Sequence, residues 1–145
     1  MFKGNFKKAK ALSKCFQTGQ DWTRRGHCIE LILKEELPMI LAKMKSMNIS
    51  PGFIGCQWLK QYFLNSLNFM QIVNFVLIQS LYSSDYAIYM CVCIFRHLER
   101  KILSCNGDDD LILVMLCDPI SNFRYSDCLD YMHNLARNYA KHLSQ

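Results

Sequence analysis

Ser50-Pro51 is the pair of residues that most constrains this chain. A serine hydroxyl accepts from the free backbone N–H groups of a helix's first turn, and proline fits the first helical position because its missing N–H is no loss there. One helix must therefore stop before the pair and another must start at it. The preceding segment, "ELPMILAKMKSM", begins its own helix at Pro38, with Ile40, Met44 and Met47 on one stripe. Beyond the pair, projection at about 100° per residue puts Ile54, Trp58 and Tyr62 in one row, flanked by Cys56, Leu59 and Phe63. Gln57, Lys60 and Gln61 gather opposite, so a deeply embedded helix with a narrow wet edge is predicted.

The same period continues. "LNFMQIVNFVLIQSL" follows the polar break at Asn65-Ser66 and, with few polar residues, is predicted to be central. Ser83-Ser84-Asp85 is expected to cap "YAIYMCVCIFRHLERKILSC", where Ala87, Cys91, Ile94, Leu98 and Ile102 form the buried stripe. Its charges, Arg96, Glu99, Arg100 and Lys101, lie in the second half, so it should surface toward its C-terminus. "CNGDDD" makes a turn whose aspartates suit the start of "LILVMLC", and Asp118-Pro119 ends that helix. Ser126 is expected to cap a last helix with Cys128, Met132, Leu135, Tyr139 and Leu143 inward. No segment alternates convincingly. The class is all-α, with about six helices.

Charge divides the chain. Residues 1–25 hold seven Lys or Arg against Asp21 alone, about +6 of a total of +5, and the remaining residues come to −1. Residues 1–26 therefore read as a basic, solvated arm and residues 27–145 as the folded lobe. Weak contact of the arm with an anionic membrane surface fits its charge. No aromatic platform or groove-reading motif accompanies it, which argues against nucleic acid. The longest unbroken apolar run, residues 86–95, falls short of the roughly 20 residues that span a bilayer, so no transmembrane segment is expected. The eight cysteines lie mostly in apolar runs without a CxxC, and no apolar leader opens the chain. They read as reduced thiols in the core of a cytosolic protein.

Chemistry has little to build on. Cys93 and His97 are i, i+4, as metal ligands can be, but no further ligands have matching spacing. His27-Cys28 is a neighbour pair at a helix start, and no local signature supports a Cys/His nucleophile. Asp108, Asp109 and Asp110 point different ways and serve a helix start better than a cation. No GxxxxGK[ST] or GxGxxG phosphate loop occurs. No catalytic, cofactor-binding or metal-ligating residue is assigned, and no cofactor is expected.

The order of elements around Trp58 carries a resemblance. "ELPMILAKMKSMNISPGFIGCQWLKQYF", an apolar helix, and then "YAIYMCVCIFRHLERKIL" together resemble the C-terminal lobe of a TBC domain, the fold of GTPase-activating proteins for Rab GTPases. Where that family has Ile-Trp-Asp, this chain has "VNFVLIQ", with Phe75 near the aromatic position and no acid. With the tail "NFRYSDCLDYMHNLARNY", the departure narrows the resemblance to the degenerate TBC-like C-terminus of the Broad-minded family. It covers residues 27–144.

That resemblance implies a non-catalytic interaction module in a ciliary scaffold. It also implies roles in cilium assembly and Hedgehog signalling, a cell-cycle-related kinase as partner, a Rab GTPase as a second candidate partner, and a cytoplasmic, ciliary or basal-body location. It further implies that the chain is a piece of a longer protein. TBC catalysis uses an Arg from "IxxDxxR" and a Gln from "YxQ" to stabilise phosphoryl transfer and position water. "TGQDWTRR" supplies Asp21-x-x-Arg24, but Thr18 stands where Ile is required, Arg24 is too close to Ser50, and no Tyr-x-Gln occurs. The alternative is the C-terminal half of an active Rab GTPase-activating protein whose catalytic Arg and Gln lie upstream. Exposed candidates for partner contact are Gln57, Lys60 and Gln61, and Arg96, Glu99 and Arg100.

Overall fold

The computed structural model describes residues 19–64, 66–117 and 120–143, and the described residues contain no β-strand. The helices are α1 (Gly19–Glu36), α2 (Pro38–Ser46), α3 (Pro51–Lys60), α4 (Phe69–Leu81), α5 (Tyr86–Ser104), α6 (Asp108–Ile112) and α7 (Tyr125–Leu143). A wide π-helical turn, Leu113–Cys117, extends α6. The all-α class expected from the apolar period is what the chain adopts. Most of the basic arm lies outside the described residues. Residues 19–26, grouped with that arm on charge, are instead the first turns of α1 and reach the core through Gly26.

The break at Ser50-Pro51 is as read. Pro51 opens α3, and the Ser50 hydroxyl accepts from Phe53 N at 3.2 Å. Asn68 does the same for α4, accepting from Gln71 N at 3.0 Å. Two other helix starts differ from expectation. Asp85 makes no side-chain cap to α5. Tight backbone bonds close that first turn, with Tyr86 N donating to Ser83 O at 3.1 Å and Ile88 N to Asp85 O at 2.9 Å. Likewise α7 begins at Tyr125, so Ser126 lies inside it. Tyr125 N donates to Gln71 Oε1 of α4 at 3.0 Å, so a distant side chain satisfies one of the first-turn N–H groups that the helix itself leaves open.

α5 is the central helix, packed against α1, α2, α3, α4 and α7. Its residues 86–95 are all buried, and the stripe of Ala87, Cys91, Ile94, Leu98 and Ile102 stays inside as it surfaces. α4, predicted to be central, is peripheral: only Phe75 and Ile78 are fully buried. Apolar content alone does not select a core helix, because burial needs neighbours on both sides, and α4 packs chiefly on α5 and α7. Nor does the row through Trp58 continue to Tyr62. α3 stops at Lys60, and Tyr62 and Phe63 take positive φ values of 51° and 58°. The reversal turns Phe63 into the core and leaves Tyr62 38% exposed.

Tyr89 on α5 is 1% exposed, and its hydroxyl has no hydrogen-bond partner. Burial pushes its pKa up to about 12, with Asp85 adding to the shift. The folded state thus favours the neutral phenol. That stabilisation is complete below the ordinary tyrosine value of about 10 and is lost as pH rises from there through about 12. Tyr89→Phe removes an unsatisfied buried hydroxyl, so it should raise stability by about 1 kcal/mol at neutral pH. It should also move the alkaline unfolding transition to higher pH. Urea denaturation at neutral pH and at pH 11 measures both effects, and a loss of stability at neutral pH would contradict the assignment.

Candidate interaction surface

Trp58 is the residue on which the resemblance turned, and its role is structural. It is 1% exposed, and its indole Nε1 donates to the Met115 carbonyl at 2.8 Å. Its ring lies 4.8 Å from Phe95 and 6.2 Å from Phe63, and Phe63 meets Phe75 edge-on at 4.9 Å. The carbonyls of a helix's last turn have no partner within the helix, so the indole of α3 satisfies one for the π turn. The width of that turn has no signature in "LILVMLC", and this contact was not foreseen.

Of the Asp-x-x-Arg spacing, the Asp21 side chain lies outside the described residues, and Arg24 is held within the fold. Arg24 Nη2 donates to the Leu143 carbonyl at the end of α7, where a cation also complements the helix dipole. Arg24, Arg25, Cys28, Ser84, Asp85, Ile88 and Leu143 line a cavity of about 140 Å³ there. A larger cleft of about 380 Å³ opens where α1 crosses α3, lined among others by Trp22, His27, Glu30 and Lys60. Its carboxylate is engaged: Glu30 Oε1 accepts from Ser50 Oγ at 2.8 Å and from Gly52 N at 3.5 Å. Lys60 lies 5.0 Å over the Trp22 ring.

Arg96, one of the polar candidates, also makes a contact within the fold. Arg96 sits 4.3 Å over the Tyr131 ring. Tyr131 and Tyr139 donate to the two carboxylate oxygens of Glu36, at 3.2 and 3.0 Å, tying α7 to the end of α1. Burial and the Glu36 carboxylate push Tyr139 up to about 12 and raise Tyr131 further. His97 Nε2 lies 2.8 Å from the Ser121 carbonyl, and its ring meets Phe123 edge-on. Cys93 faces Cys128 across α5 and α7, and the hydrogen bond between their free thiols, with burial, raises the Cys93 pKa. Thus Cys93 and His97 each have a packing partner. Among the described residues, no three His, Cys, Asp or Glu side chains gather as metal ligands could. Asp108, Asp109 and Asp110 fill the first turn of α6. Gln57 is half-buried, while Lys60, Gln61 and Arg100 are exposed.

What remains open is one face of α4. Phe69, Met70, Leu77 and Leu81 are 76%, 63%, 52% and 73% exposed, and Val76 joins them. Two of the polar residues of α4 turn inward: Gln71 binds the start of α7, and Gln79 has a buried amide nitrogen. No residue from 61 to 84 carries a charge. An exposed apolar face of this kind marks an interaction site. The sequence contained the signal, since its apolar residues at 69, 73, 77 and 81 share a stripe, but that stripe reads equally well as core. No described helix is long and apolar enough to cross a membrane.

Comparison with known proteins bears on this arrangement. Residues 19–145 match a family model described as the Broad-minded protein Rab TBC domain. Protein broad-minded of Danio rerio is 36% identical over 114 residues, covering 79% of this chain and 9% of that protein. The Mus musculus protein of the same name is 32% identical over 114 residues, with the same coverage. The chain thus spans about a tenth of the length of these relatives. No solved structure matches it.

Proposed function

The chain belongs to the Broad-minded family, through its Rab TBC domain, and from that premise we propose that it is a non-catalytic interaction lobe. The observation that carries this reading is the contrast between its polar and apolar surfaces. Arg24, in the spacing of an arginine finger, is bonded to the Leu143 carbonyl. The exposed face of α4 is apolar and uncharged, suited to binding another protein surface and not to phosphoryl transfer. The family resemblance supports a place in a ciliary scaffold that serves cilium assembly and Hedgehog signalling and engages a cell-cycle-related kinase. A Rab GTPase is the other partner class that the TBC fold supports.

Single-turnover GTP hydrolysis by a panel of Rab proteins tests the catalytic half of this reading. The chain should leave the intrinsic rates unchanged, whereas an arginine finger would raise them by about 10³–10⁵. Acceleration by the chain that disappears in Arg24→Ala would overturn it. Acceleration only by a longer family member would instead make this the supporting lobe of an active Rab GTPase-activating protein. Pull-down of the kinase from ciliated cells by the chain tests the partner half, and failure to recover it would remove the kinase as a partner.

A further inference from the structure

We propose that the open face of α4 is the contact between two copies of this chain, paired antiparallel about a twofold axis at the level of Phe75. The inference deepens the reading of the lobe as an interaction module and rests on it. A twofold contact places one patch against itself, so the patch must be its own complement. On α4 the stripe of Phe69, Val73, Leu77 and Leu81, exposed except for the half-buried Val73, recurs every fourth residue and is symmetric about position 75. In an antiparallel pair Phe69 therefore meets Leu81 of the second copy and Val73 meets Leu77, twice over. The face brings no charge against itself, because residues 61–84 contain none.

Two of its polar groups have partners within the chain, and the half-buried Asn74 would oppose Val76 of the second copy. Ser80 would oppose Met70, and its hydroxyl already donates to the Val76 carbonyl at 2.9 Å, so it carries no unmet donor into the contact. Gln71 is held by Tyr125 on the inner side. Phe69, Met70, Val76, Leu77 and Leu81, 44–76% exposed, together leave on the order of 500 Å² open, the size of a typical monomer's largest and often functional patch. Two such faces total about 1,000 Å², the threshold for a specific association, so a concentration-dependent dimer is expected.

Sedimentation equilibrium of the whole chain from about 5 to 200 µM should show the mass rising from 17.0 kDa toward twice that value. Phe69→Asp and Leu81→Lys change exposed residues at opposite ends of the stripe, each with a charge that suits its end of the helix dipole. Each alone should weaken association by roughly tenfold or more, the scale of one lost anchor. Mixing the two variants should restore most of it, because the carboxylate introduced in one copy then faces the ammonium introduced in the other. Far-UV circular dichroism checks that both fold, and Met39→Asp, on the exposed side of α2, should leave the association unchanged. A monomer at 200 µM, aggregates beyond the dimer, an effect from Met39→Asp, or no recovery on mixing would each overturn the proposal. In the first case the face serves a different partner, and the GTP hydrolysis result is unaffected.

Discussion

Trp58→Ala should destabilise the fold by about 4 kcal/mol, a large share of the roughly 5–15 kcal/mol that holds a domain together. The substitution removes a ring that is 1% exposed and packed 4.8 Å from Phe95, and it also strips the Met115 carbonyl of its indole donor at 2.8 Å. Trp58→Phe separates these contributions. It keeps much of the apolar contact but leaves the carbonyl buried and unmet, so about 2 kcal/mol should be lost. Urea denaturation followed by circular dichroism measures both. Equal losses for the two variants would assign the effect to the hydrogen bond and the π turn, and a loss below about 1 kcal/mol for Trp58→Ala would remove Trp58 as the anchor of this core.

The second large effect is expected at Gly52, where α3 crosses α1. A Cβ there would stand 2.8 Å from the Gly26 carbonyl carbon and 2.9 Å from its Cα, and closer still to the carbonyl oxygen. These are backbone atoms, so one helix has to move. Alanine would otherwise favour the helix by up to about 1 kcal/mol over glycine. The overpacking should outweigh that gain and leave Gly52→Ala about 2–3 kcal/mol less stable. The reciprocal change is milder. At Gly26 the added Cβ meets the Gly52 oxygen at 3.3 Å, and at Gly55 it meets the flexible end of Ile29 at 2.6 Å. Thermal melts of the three alanine variants should therefore place Gly52→Ala well below the other two. Similar melting temperatures would mean that the crossing relaxes freely.

Much of this architecture was legible in residue order. Ser50 and Pro51 acted as read because capping is local: the hydroxyl reaches a backbone N–H three residues on, whatever surrounds it. The α5 stripe was legible because its charges begin only at Arg96, and the α7 stripe because its polar residues alternate with it. α4 was misread for the opposite reason. Its polar residues are uncharged, and two turn inward to be held or buried by neighbours far away in sequence, which reverses the usual face. Ser126 lies inside α7 and is not its cap, because the helix starts one residue earlier with the Tyr125 N–H held by Gln71 of α4.

The candidate surface divides along the same line. Sequence alone determined the helical class, the break at Ser50-Pro51 and the buried stripe of α5, since each depends on period or capping within a short stretch. Tertiary structure decided that α5 and not α4 is central, that Trp58 closes a π turn, that Arg24 binds the end of α7, and that the uncharged stripe of α4 stays open. Those outcomes depend on which side chains meet across the fold, and an apolar stripe carries the same pattern whether it is covered or exposed.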